Sequence, residues 1–231
     1  YQKQFYFLVF LTLALAILAP ARPYLIQIAI DEHVAIGDAA GLLKIIYVLV
    51  VLMVIQAIAQ WARQFHPTVI AVDAPCLFSQ SGRSRSGERA LVSNGLRCFY
   101  TPTRAMAEKS RFYDWVFNGE RLYQALGLPL FNGLESAQPC VIETFPHGIA
   151  TAYQQSLGVP KAMDNKSAQR LKALSNIAAY NTQQLNNIDF IDAALCAVAA
   201  DYCIANRISI YGDSEDGYIV IPRFSSSTHE K

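Results

Sequence analysis

The chain has no cysteine pair at C-x-x-C spacing, and its five cysteines, Cys76, Cys98, Cys140, Cys196 and Cys203, are odd in number. That excludes a disulfide framework and the usual zinc patterns, and it leaves ordinary buried thiols in a reducing compartment as the reading. No G-x-x-x-x-G-K-[S/T] loop occurs, so nothing in the chain can cradle ATP phosphates in that manner. Net charge is nearly absent, at a formal +1, and the residues after 65 are balanced between acid and base. A broad electrostatic footprint for nucleic acid is therefore excluded, and any such chemistry must be local to a site. Charge of either sign is missing altogether from residues 5–21 and 45–62.

Those two uncharged stretches set the organisation, which changes at about residue 65. Each is close to the ~20 apolar residues that cross a bilayer as a helix. They account for a hydrophobic share of 53% and a mean hydropathy of +0.22. Pro20 and Pro23 interrupt the first run, so it reads as a long kinked helix emerging from the bilayer. A signal peptide is the alternative, but a basic n-region is almost lacking and a second span follows. A pair of core helices in a soluble protein is a further alternative for segments apolar on all sides. The connector DEHVAIGDAAG is acidic and turn-rich, and Trp61 stands where an interfacial anchor would sit. Lys3 before the first span and Arg63 after the second put both ends inside. Residues 66–231 are then expected on the cytoplasmic side of an inner or plasma membrane. The run PYLIQIAIDEHVAIGDAAGLLKIIYVLVVLMVIQAIAQ resembles the first two transmembrane helices of an ABC exporter, over about residues 5–62. That resemblance implies another transporter half as helix partner. With two helices and no phosphate loop, the chain would form neither the translocation path nor the ATPase.

Beyond residue 65 the pattern is that of a soluble α/β domain. Thr68 to Val72 form a short β-branched run that closes on Asp73 and Pro75, a buried strand ending in a carboxylate. Residues 79–89 (SQSGRSRSGER) read as a polar, basic loop. Residues 103–126 are helical by period, with Phe112, Trp115, Val116, Leu122 and Leu126 on one side, and Gly127 and Pro129 end them. Cys140 to Ile142 form a second strand closing on Glu143, and Pro146 starts a helix to about Leu157. Further helices are expected over 165–180 and 186–207, then a turn and a closing strand over 212–222. Asp189 and Asp192 share one side of the first turn of the 186–207 helix, where the positive helix end favours anions.

These carboxylates could gather beyond the strand ends, where open α/β sheets form their sites. A hard oxygen cluster suits Mg²⁺ or Mn²⁺, and two such ions can support phosphodiester cleavage. By spacing alone the pattern is weak, and it is met as well by Asp189 as a helix cap and Asp73 as the residue that fixes a turn before Pro75.

The blocks IAVDAP (70–75), GERALVSNGLRCFYTPTRA (87–105), WVFNGERLYQAL (115–126), VIETFPH (141–147), KSAQRLKAL (166–174), DFIDAALCAVAA (189–200) and GDSEDGYIVIP (212–222) resemble, in order, the domain-of-unknown-function family 429. Its members are predicted nucleases of RNase H-like fold. The resemblance implies catalytic roles for Asp73, Glu143, Asp189 and Asp192. It makes Asp73, Glu143 and Asp189 the metal ligands, with Asp192 a ligand or a supporting group. It implies substrate contacts for Arg89 and Lys166, Mg or Mn as cofactor, and nucleic acid or a nucleotide as partner. His147 follows Glu143 by four, but a strand-to-helix turn does not by itself give metal geometry. RNase H-like domains open with a three-stranded meander whose first strand carries the key aspartate, and here apolar helices stand in its place. The strand at 68–73 is then expected to have an unpaired edge, and the metal site to lack its central ligand.

The expected architecture is two N-terminal transmembrane helices (1–65), followed by a truncated RNase H-like α/β domain (66–231). The expected function is a metal-dependent nuclease or phosphodiesterase with an incomplete site. A truncated exporter fragment and a non-catalytic binding module are the alternatives. If the apolar segments span a bilayer, the protein remains in the membrane pellet through an alkaline carbonate wash. Its release into the supernatant would remove the membrane reading.

Overall fold

The computed structural model describes residues 26–34, 37–133, 139–158, 166–177, 182 and 185–225. They fall into two compact units, Tyr1–Trp61 and Ala62–Lys231. In the first, a π-helical turn, Ala29–Val34, precedes helix α1, Ala39–Gln64. Asp38 caps α1 by accepting the Gly41 N–H at 3.0 Å, and it is held in turn by His33 Nδ1 at 2.9 Å. Residues Ala39–Ala62 have a mean hydropathy of 2.6 and are only 11% buried. Leu43, Tyr47, Val50, Val54, Ile58 and Trp61 all stand exposed along them. At ~1.5 Å per residue this helix is long enough to cross a bilayer. It is the one such helix among the described residues. The first apolar run, residues 5–21, lies outside them.

The second unit is a mixed α/β fold on a four-stranded sheet. Its strands are β1 (Val69–Val72), β2 (Cys140–Glu143), β3 (Ile208–Asp213) and β4 (Gly217–Pro222), in the order β1-β2-β4-β3. β1, β2 and β4 run parallel, with Val72 opposite Glu143 and Glu143 opposite Ile219. β3 pairs antiparallel with β4 as a hairpin. Among the described residues no strand pairs with β1 on the side away from β2. Parallel neighbours need long crossovers. The first carries α2 (Ser86–Ser93), α3 (Arg104–Ala107) and α4 (Asp114–Leu126). The second carries α5 (Pro146–Ser156), α6 (Lys166–Ile177) and α7 (Ile188–Ile204).

All four residues of β2 are buried, as expected of a central strand covered on both faces. α7 packs along β1 and β4. Its Ile191, Leu195, Val198 and Ala199 recur at helical spacing and join Ile142, Ile149, Leu174, Ile219 and Ile221 in the main core. Asn187, which accepts the Phe190 N–H at 2.8 Å, starts α7, so the N-cap is not Asp189.

Three elements differ from the pattern read in the sequence. The stretch 103–126 is not one helix. Ser110 accepts the Phe112 N–H at 3.3 Å and restarts the chain as a 3₁₀ turn, Arg111–Tyr113, before α4. Val116, Tyr123 and Leu126 are then buried, while Phe112 and Trp115 remain outside. The basic loop ends early, because α2 begins at Ser86. The closing strand has a partner, β3, whose mostly half-exposed residues show no apolar run.

α4 is fixed against the segment that follows β1. Tyr123 Oη donates to the Ala74 carbonyl at 2.9 Å. A Cβ on Gly119 would stand 2.8 Å from the Ala74 Cβ, closer than two carbons can approach. Gly119→Ala gains about 1 kcal/mol of helix propensity but overpacks this contact by about 1–3 kcal/mol. The variant is expected to melt a few degrees below the parent in a thermal unfolding scan. A higher melting temperature would show that the contact relaxes freely.

Candidate functional site

β1 and β2 end side by side, so Asp73 and Glu143 lie at the same edge of the sheet. A cavity of about 430 Å³ opens there. Its charged lining is Asp73, Glu88, Glu143 and Asp192 against Arg85 and Arg170. The carboxylates outnumber the guanidiniums two to one, so the charged lining has an acidic excess.

Arg85, itself 2% exposed, organises the floor. Its Nη1 donates to Glu143 Oε2 at 2.7 Å, and its Nη2 donates to Glu143 Oε1. The pair is a bidentate fork, the strongest form of this contact. Glu143 Oε2 also accepts the Cys76 N–H at 2.8 Å. On its other side Arg85 Nε donates to Glu88 Oε1 at 3.0 Å. Glu88 accepts the Arg85 N–H at 2.9 Å, and the Thr101 N–H at 2.9 Å through Oε2. Asp216, from the β3–β4 turn, accepts the Gln80 and Ser86 N–H groups at 2.8 and 2.9 Å. Burial opposes charge on Arg85, but the two carboxylates outweigh it and raise the guanidinium pKa further.

Asp73 and Asp192 form the other half of the lining. Burial raises the Asp73 carboxyl to about 6, and the charges of Asp192 and Glu143 add to this while Arg170 opposes it. Asp73 has an open side to solvent, yet its carboxyl lies within the concavity, where walls displace part of its hydration. Burial also raises Asp192, against an ion pair from Arg170 Nη1 to Asp192 Oδ2. Asp192 Oδ1 and Arg170 Nε are buried without a hydrogen-bond partner among the described residues. Cys98 lines the cavity as well, and burial pushes its thiol up to about 12.

The structure thus brings Asp73, Glu143 and Asp192 to one cavity. It commits both oxygens of Glu143 to Arg85 and the Cys76 amide. Asp189 is exposed in the first turn of α7 and does not line the cavity, although its charge raises Asp192. Arg89 is exposed, with its Nη1 donating to the Ser84 carbonyl at 2.6 Å. Lys166 is exposed at the first position of α6, and neither residue lines the cavity. The His147 ring sits 5.8 Å from that of Phe145 at the start of α5. Among the described residues no group of three or more His, Cys, Asp or Glu side chains is set to hold a metal ion.

Sequence reasoning passed over Arg85, Glu88, Arg170 and Asp216. The available signal was a Glu three residues after the residue that precedes α2, which is half of a capping box. Arg170 gave none beyond its place one turn after Lys166.

Because Asp73 holds its proton longer when folded, the folded chain binds more protons than the unfolded chain between pH 3.8 and about 6. Stability from this group is therefore lost as pH rises through that window. Asp73→Asn is expected to melt above the parent at pH 8, with the difference closing below pH 4. Equal melting temperatures at pH 8 would mean that Asp73 carries no strain.

Residues 30–216 match the model of a family described as Protein of unknown function (DUF429). No curated protein and no solved structure matches the chain. The family match begins inside the stretch read as exporter-like, and the exporter resemblance of residues 5–62 has no support from these comparisons. With the match covering most of its length, the chain belongs to the DUF429 family.

Proposed function

We propose that the cavity hydrolyses a phosphoester, as a nuclease or phosphodiesterase would, with Mg²⁺ or Mn²⁺ held between Asp73 and Asp192. The observation that carries this reading is a pair of carboxylates in one cavity with a single guanidinium, Arg170, to offset both. Asp73 is raised by the charge of Asp192, and Asp192 Oδ1 lacks a partner among the described residues. A divalent cation answers both conditions, and Mg²⁺ needs only one or two carboxylates when waters and substrate phosphate supply its other oxygens. Glu143 is not in this ligand set, because its oxygens are occupied. When bound, the ion would polarise the phosphoryl group and offset its negative charge.

The remaining work falls to the chain. Arg170 pairs with Asp192 and lines the cavity, so its guanidinium would also offset the charge of a phosphoryl group bound there. Arg85 holds Glu143 and Glu88, so the floor does not shift as charge develops above it. In the net reaction water adds to phosphorus, the ester P–O bond breaks, and the departing oxygen takes up a proton. The apolar helix α1 supports a location at a membrane, with the second unit in water.

Two measurements on the full chain in detergent test this. Mn²⁺ binding, read by electron paramagnetic resonance, is expected at pH 7.5 and is expected to weaken below pH 6 as the Asp73 proton competes. Mn²⁺-dependent hydrolysis of bis(p-nitrophenyl) phosphate is expected to fall by ~100-fold or more in Asp73→Asn. Absence of both binding and turnover in the parent chain would refute the proposal.

A further inference from the structure

The acidic edge is only one part of the cavity lining. The same lining carries aromatic rings, from Phe99, Phe112 and Trp115. These rings are not core. Phe99 is 72% exposed, Phe112 60% and Trp115 36%. Exposed aromatics that converge on one concavity carry a cost in water and mark a binding surface. Two of them also touch one another. Phe99 meets Phe112 at 6.3 Å between centroids, near edge-on at 68°. Phe112 meets Tyr113 at 5.1 Å and 85°. The break at Ser110 turns Phe112 outward, where an unbroken helix would have kept it on the apolar side with Val116.

A cavity lined by both aromatic rings and carboxylates fits a ligand that is also bipartite. One end must be planar and π-rich, and the other must be an anion that travels with a divalent cation. A nucleobase joined to a phosphate meets both conditions. Base stacking on aromatic side chains tolerates any base, because every base has a π face. Size narrows the class further. About 430 Å³ accommodates roughly one nucleotide and not a base pair with its neighbours. In a duplex both faces of a base are covered by stacking, so a base that meets these rings has to be unpaired.

We infer that Phe99, Phe112 and Trp115 form a base-stacking subsite, so that the substrate is a nucleotide with an unpaired base, either free or in a single strand. This rests on the phosphoester reading for its phosphate end, while the aromatic rings are tested separately. Duplex nucleic acid and simple alkyl or sugar phosphates are then poor ligands.

The test uses the full chain in detergent, in a Trp61→Phe background so that Trp115 is the remaining tryptophan. Adenosine and ribose are titrated without metal, with Trp115 fluorescence as the readout. Adenosine is expected to quench the emission and to bind at least tenfold more tightly than ribose. Phe99→Leu and Phe112→Leu are each expected to reduce that preference severalfold, while their Mn²⁺ binding and melting temperature stay at parental values. With Ca²⁺ present, adenosine 5′-monophosphate is compared with single-stranded and duplex oligodeoxyadenylate. Tighter binding of the single strand assigns a polymer substrate, and tighter binding of the mononucleotide assigns a free nucleotide. Either result supports the inference. Equal binding of adenosine and ribose would overturn it, as would a duplex that binds as well as the single strand. Loss of Mn²⁺ binding with the adenosine preference retained would strike the hydrolytic reading and leave the stacking subsite standing.

Discussion

A single buried guanidinium, that of Arg85, holds the functional edge of this fold together. It lies between Glu88 at the start of α2 and Glu143 at the end of β2, and its neighbour Ser86 is bonded to Asp216 in the last hairpin. Segments far apart in the chain thereby meet at one point. Taking three charges out of water is costly, and only the fork geometry and the surrounding amide donors make the arrangement tolerable. Breaking one partner would leave a buried charge uncompensated, so the cluster acts as a unit. It sets the path of the chain from Cys76 to Thr101, and with it one wall of the cavity.

The same cluster divides labour among the acidic residues. Glu143 and Glu88 are spent on Arg85 and become scaffold. Asp73 and Asp192 remain under-compensated, because Arg170 is shared between them. A like-charged pair that keeps its strain is usual at sites where proteins hold cations or move protons. The same cavity carries the exposed rings of Phe99, Phe112 and Trp115. The proposed chemistry follows from the presence of carboxylates and π surfaces in one cavity.

Much of the second unit was legible in the sequence. The runs closing on Asp73 and Glu143 announced short buried strands, because a continuous apolar run is apolar on both faces and so needs cover on both, and the structure pairs them in parallel. α5, α6 and α7 showed their helical period and their stops to within a few residues. β3 did not, since a hairpin edge strand with mostly half-exposed residues has neither an apolar run nor a clean alternation. The broken helix over 103–126 was also hidden. Periodicity survives a 3₁₀ turn in the sequence even when the faces rotate in space, and Ser110 looks like any polar helix position. The acidic set was legible only in part. Asp189 and Asp192 share a helix turn, yet Arg170 claims one and solvent the other.

By itself the sequence determined that a long apolar helix precedes a mixed α/β unit, and that carboxylates stand at two strand ends. Those follow from local rules of hydropathy, period and chain termination, which act on neighbours along the chain. Tertiary structure alone decided which carboxylates are consumed by Arg85, which pair shares Arg170, and which aromatics line the cavity. Those outcomes depend on the distances between side chains tens of residues apart. Electrostatic strain and burial arise only once such groups share a low-dielectric space.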